Sequence, residues 1–442
     1  MRIFDSLLLS ESMKISRVLL VASALCVSVN VQAQLLKDGT EFDLQLNTIT
    51  TAVPFQMIAP DSRGGAMGDA GVGVSPDANS MFWNASKLAF AENEMEVSLG
   101  YSPWLKALVP DINMAYLSWY KRIDRMSTLG ASLRYFSLGN ITFTDINGSV
   151  IRDFKPNEFS IDAAYSRKFS NYFSAGLTSR YIYSNLTGGT QVGGADTKPG
   201  MAFAVDVSAY YYNDEFRVGG KDASIGVGIS ISNIGNKMSY TNTADRDFLP
   251  TNLRLGQAFS INVDEFNKFT IATDFNKLLV PTPPIYRVDS LGVPVSDGQG
   301  NYVVEAGRNP NVGVAAGIFG SFTDAPGFPL PDEQGNFQYD TEGNLIIDKG
   351  SKFREELREV NVSVGLEYWY AEKLAIRAGF FYEHPTKGNR QFATLGAGVK
   401  FNIFGLDLSY LIPTQQRHPL ANTLRFTLRL NFEDLNKEEA DS

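Results

Sequence analysis

The sequence predicts an all-β protein, a 14-stranded antiparallel transmembrane β-barrel with an N-terminal hatch inside its lumen. Between Glu94 and Phe432, about fourteen short segments alternate apolar residues with small or polar ones. Each segment is close to the roughly ten residues that a strand needs to cross a hydrocarbon layer, and the connections are alternately very short and long. Composition alone, with 44% hydrophobic residues and a net charge of -9, is that of a soluble protein. Periodicity therefore decides the class.

The N-terminus is typical of a secretory signal peptide, which we predict over residues 1–33. A basic start precedes an apolar stretch at 18–29, and a small-residue cleavage pattern ends at Ala33. Met13 is an alternative start. The apolar stretch is too short for a transmembrane helix. Because the single cysteine, Cys26, lies in this segment, we expect no disulfide in the mature chain.

Residues 34–93 are predicted to form an N-terminal periplasmic segment and the hatch. They lack strand periodicity and are rich in glycine, so the backbone can pack closely inside a barrel mouth. Charged side chains are available to anchor it to polar groups of the lumen. A phosphate-binding loop is disfavoured because no Gly-Lys-Ser/Thr follows the glycines. The candidate hatch residues are Arg63, Gly64, Gly68, Asp69, Gly71, Asp77 and Asn84.

The barrel itself is predicted over residues 94–432, with an even number of strands, as single-chain bacterial barrels require. The candidate strands are 94–105, 111–122, 126–138, 157–170, 172–186, 200–213, 223–234, 250–263, 266–276, 359–370, 373–383, 391–403, 405–412 and 419–432. Short turns of such barrels face the periplasm and long connections face outside. We therefore expect an extracellular loop at 277–358, both termini in the periplasm, and an acidic periplasmic tail at 433–442.

The alternation also predicts which face of each strand meets lipid. In the last segment, Leu428 and its apolar neighbours at every second position oppose Arg425 and Arg429. An arginine facing lipid near the middle of the bilayer costs about 2–4 kcal/mol, so both arginines are expected to face the lumen.

The hatch segment resembles that of the FadL-like outer-membrane barrels, and most closely that of the PorV (LptO) family of the type IX secretion system. The stretches that carry the resemblance are Ala59–Gly73, Pro76–Ser80, Trp83–Leu88, Phe319–Gly327 and Arg354–Glu359. One position departs: FadL-like hatches usually read Asn-Pro-Ala where this chain has Asn84-Ala85-Ser86, which leaves the rigid kink of that element without its proline.

The resemblance implies a location in the cell outer membrane and a role as a secretion shuttle. PorV-like proteins bind the C-terminal signal domains of cargo as these leave a giant translocon barrel. They carry the cargo to an attachment complex, where a sortase-like partner removes the signal and joins the cargo to lipopolysaccharide. The implied partners are thus the translocon barrel, cargo signal domains, the attachment complex and outer-membrane lipid. A FadL-like channel for hydrophobic small molecules is the alternative, and a lipid-modifying enzyme such as a lipid A deacylase would need a reachable nucleophile and base.

The sequence indicates no catalytic residues, no metal site, no cofactor and no nucleic-acid partner. The two histidines, His384 and His418, each precede a proline in predicted extracellular connections, so a metal pair or a Ser-His-Asp triad would require two loops to converge. Acidic turns at 297–302 and 332–337 have some calcium ligands but no full set. The acidic charge without a basic cluster argues against nucleic acid.

The connection 277–358 is far longer than a barrel requires, and loops of this size are usually functional or disordered. Its apolar segments 278–286 and 317–322 are predicted to present exposed ridges to a protein partner. The candidate partner-binding residues are Pro283, Pro284, Ile285, Phe319, Phe322, Pro326 and Phe328.

Overall fold

The structure, a computed structural model, describes residues 46–106, 109, 111–144, 147–191, 196–242, 246–289, 293–298, 301–331, 337–415 and 418–432. The predicted signal peptide, the residues that follow it up to 45 and the predicted acidic tail lie outside the described residues, as do parts of both acidic turns. No helix in these described ranges is long and apolar enough to cross a membrane.

The strands carry most of the described chain. Those of the main sheet are β1 (Met95–Pro103), β2 (Ile112–Arg122), β3 (Ser127–Leu138), β6 (Asn157–Lys168), β7 (Phe173–Asn185), β8 (Gly200–Val218), β9 (Lys221–Gly235), β10 (Asn252–Asn262), β11 (Asn267–Leu278), β14 (Val360–Tyr370), β15 (Leu374–Tyr382), β16 (Gln391–Phe401), β17 (Phe404–Pro413) and β18 (Thr423–Asn431). Two small hairpins pair β4 (Ile141–Thr144) with β5 (Val150–Phe154), and β12 (Ile285–Tyr286) with β13 (Val304–Ala306).

Short helices flank the sheet. They are α1 (Ser62–Ala66), α2 (Ser80–Trp83), α3 (Val314–Gly320) and α4 (Ser351–Arg358), with 3-10 turns at Pro54–Met57 and Ala85–Phe90.

Fourteen of the described strands close into one antiparallel barrel. The seam joins β1 to β18, with Glu96 opposite Asn431 and Tyr101 opposite Phe426. Closure leaves no unpaired sheet edge, which is the condition for crossing a hydrocarbon layer with strands. The predicted fold class, a 14-stranded antiparallel barrel, is confirmed.

The predicted strand ends agree with the structure to within two residues, apart from one end each of β8 and β18. β18 begins at Thr423, after the predicted 419. β8 continues to Val218, past the predicted 213, so β8 and β9 form a hairpin that projects beyond the neighbouring turns. Gly219 and Gly220 both have positive φ at its tip, which suits a two-residue turn that matches strand twist. The alternation of apolar and polar residues does not indicate how far a hairpin projects beyond the barrel, so the predicted end of β8 came too early.

The two faces of the wall separate as predicted. Leu428 and Ile229 are exposed on the outer face, whereas Arg425 and Arg377 are buried on the inner face. The lipid-facing register inferred from alternation is confirmed.

The described chain begins at the end of the barrel where the long connections lie. Residues 46–58, which we call the strap, pack there. The Ala52 N–H donates to the Phe248 carbonyl at 2.9 Å, and Phe55 stacks on Phe136 with ring centroids 6.1 Å apart. Apolar strap side chains are buried in a cluster with inward-facing residues of the upper strands.

For residues 46–58 this position differs from the periplasmic location expected of the segment before the hatch, and residues 34–45 lie outside the described residues. The strap lies at the end opposite to the short turns, because its apolar side chains are buried among those of the long-connection end. Residues 59–91, which we call the hatch, then descend through the lumen to the short-turn end, where the Arg122 Nη1 donates to the Glu92 carbonyl at 3.4 Å. The described N-terminal segment therefore threads the barrel from one end to the other.

Candidate functional site: hatch and rim

Glycine allows the hatch backbone to lie directly against the wall. Gly68 has a φ of +69°, and a Cβ built there would lie 2.6 Å from backbone atoms of Phe380. The wall contributes a matching glycine, since a Cβ on Gly379 would lie 2.1 Å from the Met67 carbonyl carbon. A side chain at either position would force the two backbones apart.

A chain of buried charges joins the hatch to four strands of the wall, β14, β15, β17 and β18. Arg63 donates from Nη2 to the Glu367 carboxylate at 2.8 Å, and Arg377 donates to the same carboxylate from Nε at 2.6 Å. Arg377 also pairs with Asp407 at 2.7 Å, which accepts from Arg429 at 3.0 Å. Each buried charge in this chain has an opposite charge in contact, which offsets the cost of removing it from water.

Asp69 and the backbone after it make the next attachments. Asp69, at a φ of 61°, accepts from Arg425 Nη1 at 3.1 Å. The backbone N–H groups of Gly71 and Val72 both donate to Asp274 on β11, at 2.7 and 2.9 Å. The hatch is thus tied to two separate parts of the wall, β18 and β11.

Asp77 forms its contacts within the hatch, and Asn84 contacts both the hatch and strand β8 of the wall. Asp77 accepts from Arg63 Nη1 at 3.3 Å and from the Asn79 N–H at 2.9 Å. The Asn84 side chain accepts from the Ser86 N–H at 3.1 Å and donates to the Ala209 carbonyl at 3.1 Å. A side-chain hydrogen bond therefore fixes this turn, in which Ala85 follows Asn84. Gly64 lies under the Trp83 ring, where a Cβ would be 2.5 Å from a ring carbon.

Sequence reasoning missed two hatch residues. Lys87 is buried and donates to the carbonyls of Gly71 at 2.6 Å and Val74 at 3.2 Å. Asp61 caps α1 by accepting from the Gly64 N–H at 2.8 Å, and it also accepts from Trp83 Nε1 at 2.7 Å. The usable signal was an aspartate three residues before a helical N–H, which is the usual capping distance.

A second buried cluster, which we call the rim cluster, holds the long connection against the barrel. It consists of Lys277, Lys387, Glu355, Glu356 and Glu359. Lys277 Nζ lies 3.0 Å from Glu356 and 2.6 Å from Glu359. Lys387 Nζ lies 2.8 Å from Glu355 and 3.0 Å from Glu359. Since the two lysines come from β11 and from the β15–β16 connection, α4 is fixed to both.

The rim cluster also binds the backbone of the long connection. The N–H groups of Gly327 and Ala325 donate to Glu355 and Glu356 at 2.8 and 3.0 Å. The strap joins them, because Asn47 Nδ2 donates to Glu355 at 2.9 Å. The rim is therefore one structure assembled from the strap, α4 and the loop.

Two titratable groups of the rim have shifted pKa values. Burial, together with the nearby carboxylates Glu356 and Glu359, raises the pKa of Asp324 to about 6, although the Thr282 N–H opposes this by donating to it. Burial, with Arg358 and Lys387 close by, lowers the pKa of His384 to about 4.

The candidate partner-binding residues do not form one ridge. Pro284 and Pro326 are buried, and Pro283, Ile285 and Phe328 are half-buried. The predicted ridge over 278–286 is wrong in its first part, because Leu279 and Val280 are buried beneath the connection.

Only two of those candidates are well exposed. Phe319 on α3 is 79% exposed and Phe322 just after it is 46% exposed. Within the described residues, no group of three or more His, Cys, Asp and Glu side chains could hold a metal ion.

The closed wall, its apolar outer face and the polar lumen occupied by the hatch define an outer-membrane barrel protein. A model of the family described as type IX secretion system protein PorV matches residues 41–285, more than half of the chain. The chain belongs to the PorV family.

Comparison with solved structures shows only a low sequence identity and a limited structural similarity. No curated protein matches. The chain is similar to the toluene transporter TodX of P. putida, with 14% identity over 85% of this chain and 99% of that one and a TM-score of 0.44. It is also similar to the toluene transporter TbuX of Ralstonia pickettii, with 11% identity over 85% and 98% and a TM-score of 0.44. A FadL homologue of Pseudomonas aeruginosa has 11% identity over 88% and 100% and a TM-score of 0.40.

Proposed function

We propose that this protein binds the C-terminal signal domain of secreted cargo at the translocon barrel and carries it to the attachment complex at the cell surface. There a sortase-like partner removes the signal and joins the cargo to lipopolysaccharide. The protein contributes binding and delivery and no covalent step. Membership of the PorV family supports the secretion role.

The observation that carries the proposal is the rigid rim with an exposed apolar strip on it. Ala315, Ala316 and Phe319 are exposed along one side of α3, with Phe319 four and three residues after the two alanines. Gly317 packs against Phe248 on the other side. Aromatic residues that protrude from a fixed surface are typical anchors of protein interfaces.

The hatch supports the same proposal. It occupies the lumen with a backbone that contacts the wall at glycines, and buried ion pairs such as Arg63–Glu367 hold it. Moving it aside would separate several buried opposite charges, each at a substantial cost. A protein whose lumen is held in this way is better suited to binding at its rim than to passing solutes through the lumen.

The test uses a double variant, Ala316→Arg with Phe319→Asp, and the control Tyr339→Asp, an exposed aromatic elsewhere in the same connection. We expect the double variant to bind a purified cargo signal domain about tenfold more weakly, since one central aromatic commonly contributes that much, and the control to bind as the parent does. In cells, cargo that retains its signal domain should accumulate.

Equal binding by the double variant and the control would remove α3 from the proposal. A hydrophobic-solute channel predicts a different outcome, in which cargo binding is unchanged and solute uptake falls in the double variant.

A further inference from the structure

An apolar groove of about 240 Å³ lies on the outside of the barrel, where α4 and the end of α3 overhang the wall. Its floor consists of side chains of β10, β11 and β14, and its roof of two side chains of the long connection. The residues that form it are Leu253, Leu255, Phe275, Val360, Phe322 and Leu357. One end is closed by the ion pair between Lys277 and Glu356.

The floor continues the lipid-facing surface of the barrel. Leu255 lies opposite Phe275 on one side and opposite Ile229 on the other, and all three are exposed on the outer face. Leu253 is one residue from the upper end of an 11-residue strand. Because about 9 to 11 tilted residues cross the hydrocarbon layer, this end of the strand lies at the boundary of the outer leaflet.

The roof has the character of a helix that lies in a membrane interface. Phe353 and Leu357, four residues apart on α4, are 68% and 56% exposed, whereas Glu355 on the opposite side is buried in the rim cluster. Lys352 and Arg354 are exposed beside them, and Arg354 also pairs with Asp348. Apolar residues next to basic ones are typical of helices at the surface of anionic lipid.

The rim cluster holds this helix in place. Glu356 and Glu359 bind Lys277, which faces outward because it lies opposite Leu253 on the same side as Phe275. The roof is therefore a fixed part of the outer wall.

We propose that this groove holds an acyl chain of lipid A in the outer leaflet, with Lys352 and Arg354 at the level of its phosphates. The floor and Phe322 contact the chain, and the two basic side chains favour an anionic headgroup. Because the floor is continuous with the lipid-facing wall, lipid reaches the groove from the side without any rearrangement of the loop. The proposal is independent of cargo binding and requires only that the barrel lies in the outer membrane.

The test places a fluorophore in the groove of the full-length protein. In a Cys26→Ser background, the variants Phe322→Cys and Leu357→Cys carry a small thiol-linked fluorophore, and Tyr339→Cys is the exposed control in the same connection. The proteins are placed in lipid nanodiscs of phosphatidylcholine brominated along its acyl chains. We expect strong quenching at 322 and 357 and little at 339. Heat-modifiable gel mobility verifies folding.

Lipid A is then added to the nanodiscs as a competitor. It should restore fluorescence at 322 at a lower amount than unbrominated phosphatidylcholine. Changing both Lys352→Gln and Arg354→Gln should reduce that advantage about thirtyfold, since each basic residue near an anionic surface contributes on the order of 1 kcal/mol.

Three results would overturn the proposal. Equal quenching at 322 and 339 would show that no acyl chain occupies the groove. Equal competition by the two lipids would remove lipid A as its occupant. If lipid does not quench position 322 but an added translocon barrel shields it, the groove is a protein-docking surface instead.

Discussion

At the scale of single residues, each buried carboxylate in the charge chain that joins hatch and wall contacts more than one cation. Glu367 accepts from Arg63 and Arg377 together. Removing Glu367 leaves Arg63 with Asp77 and Arg377 with Asp407, so two buried arginines each lose one of their two carboxylates.

The change Glu367→Gln should therefore lower the free energy of unfolding by about 3–5 kcal/mol, because it leaves buried guanidinium charge uncompensated. The control is Asp222→Asn in the exposed pair with Arg217, which should cost at most about 1 kcal/mol. Urea unfolding of the protein in lipid vesicles, followed by fluorescence, measures both. Comparable losses would show that the lumen charges are solvated.

Gly68 offers a second comparison at this scale. Gly68→Ala should destabilise the protein through its positive φ, at about 1–2 kcal/mol, and through contact with the Phe380 backbone, at about 1–3 kcal/mol more. Gly343 also has positive φ, but nothing lies within 4 Å of its built Cβ, so Gly343→Ala measures the first cost alone. The same unfolding assay applies. Equal losses of stability in the two variants would show that the hatch backbone at Gly68 does not contact β15 closely.

At the scale of elements, the rim depends on groups that titrate in opposite directions. Protonated Asp324 is favoured in the folded rim, since its folded pKa of about 6 lies above the unfolded value, so its contribution is complete below about pH 4 and is lost as the pH rises through 6. His384 has a folded pKa of about 4, below its unfolded value, so its contribution is present above about pH 6.5 and is lost as the pH falls toward 4.

Two variants separate these effects. In Asp324→Asn, His384 is the one of these two groups that still titrates. The backbone amides of α4 should then become less protected from hydrogen exchange as the pH falls from about 6.5 to 4.5. In His384→Gln, Asp324 is the one of the two that still titrates. Protection of the same amides should then increase as the pH falls over this range. Rates are corrected for intrinsic exchange. The same sign of pH dependence in both variants would contradict this assignment.

At the scale of the whole molecule, the threaded strap places the start of the described chain beside the long connections. In a Cys26→Ser background, Leu46→Cys and Tyr339→Cys should both react with a membrane-impermeant maleimide on intact cells, since both positions are exposed at that end. Asp264→Cys, in a short turn, should react only after the outer membrane is permeabilised. Labelling at 264 on intact cells would invert the orientation.

The barrel could be predicted from the sequence because alternation is local: Leu428 and Arg425 reveal their faces through their immediate neighbours. Individual hatch residues such as Arg63 could be identified as candidates from their charge. The wall residues that bind them could not be predicted. The rim cluster could not be predicted from the sequence. Lys277 contacts Glu356 and Glu359, which are 79 and 82 residues away in the chain, and no sequence periodicity links residues so far apart. The position of the strap could not be predicted for a related reason. Its few apolar residues do not indicate which end of the barrel buries them.

The strap and hatch also constrain the order in which the molecule can be assembled. They precede β1 in the chain, yet they lie inside a wall that is sealed only when β18, the last of the described strands, pairs with β1. In a barrel already closed, the strap and hatch would have to pass along the lumen from one end to reach these positions. We therefore expect the N-terminal segment to lie within the curving sheet before the seam between β1 and β18 closes. A hatch peptide supplied separately after closure would come too late to restore a barrel made without it.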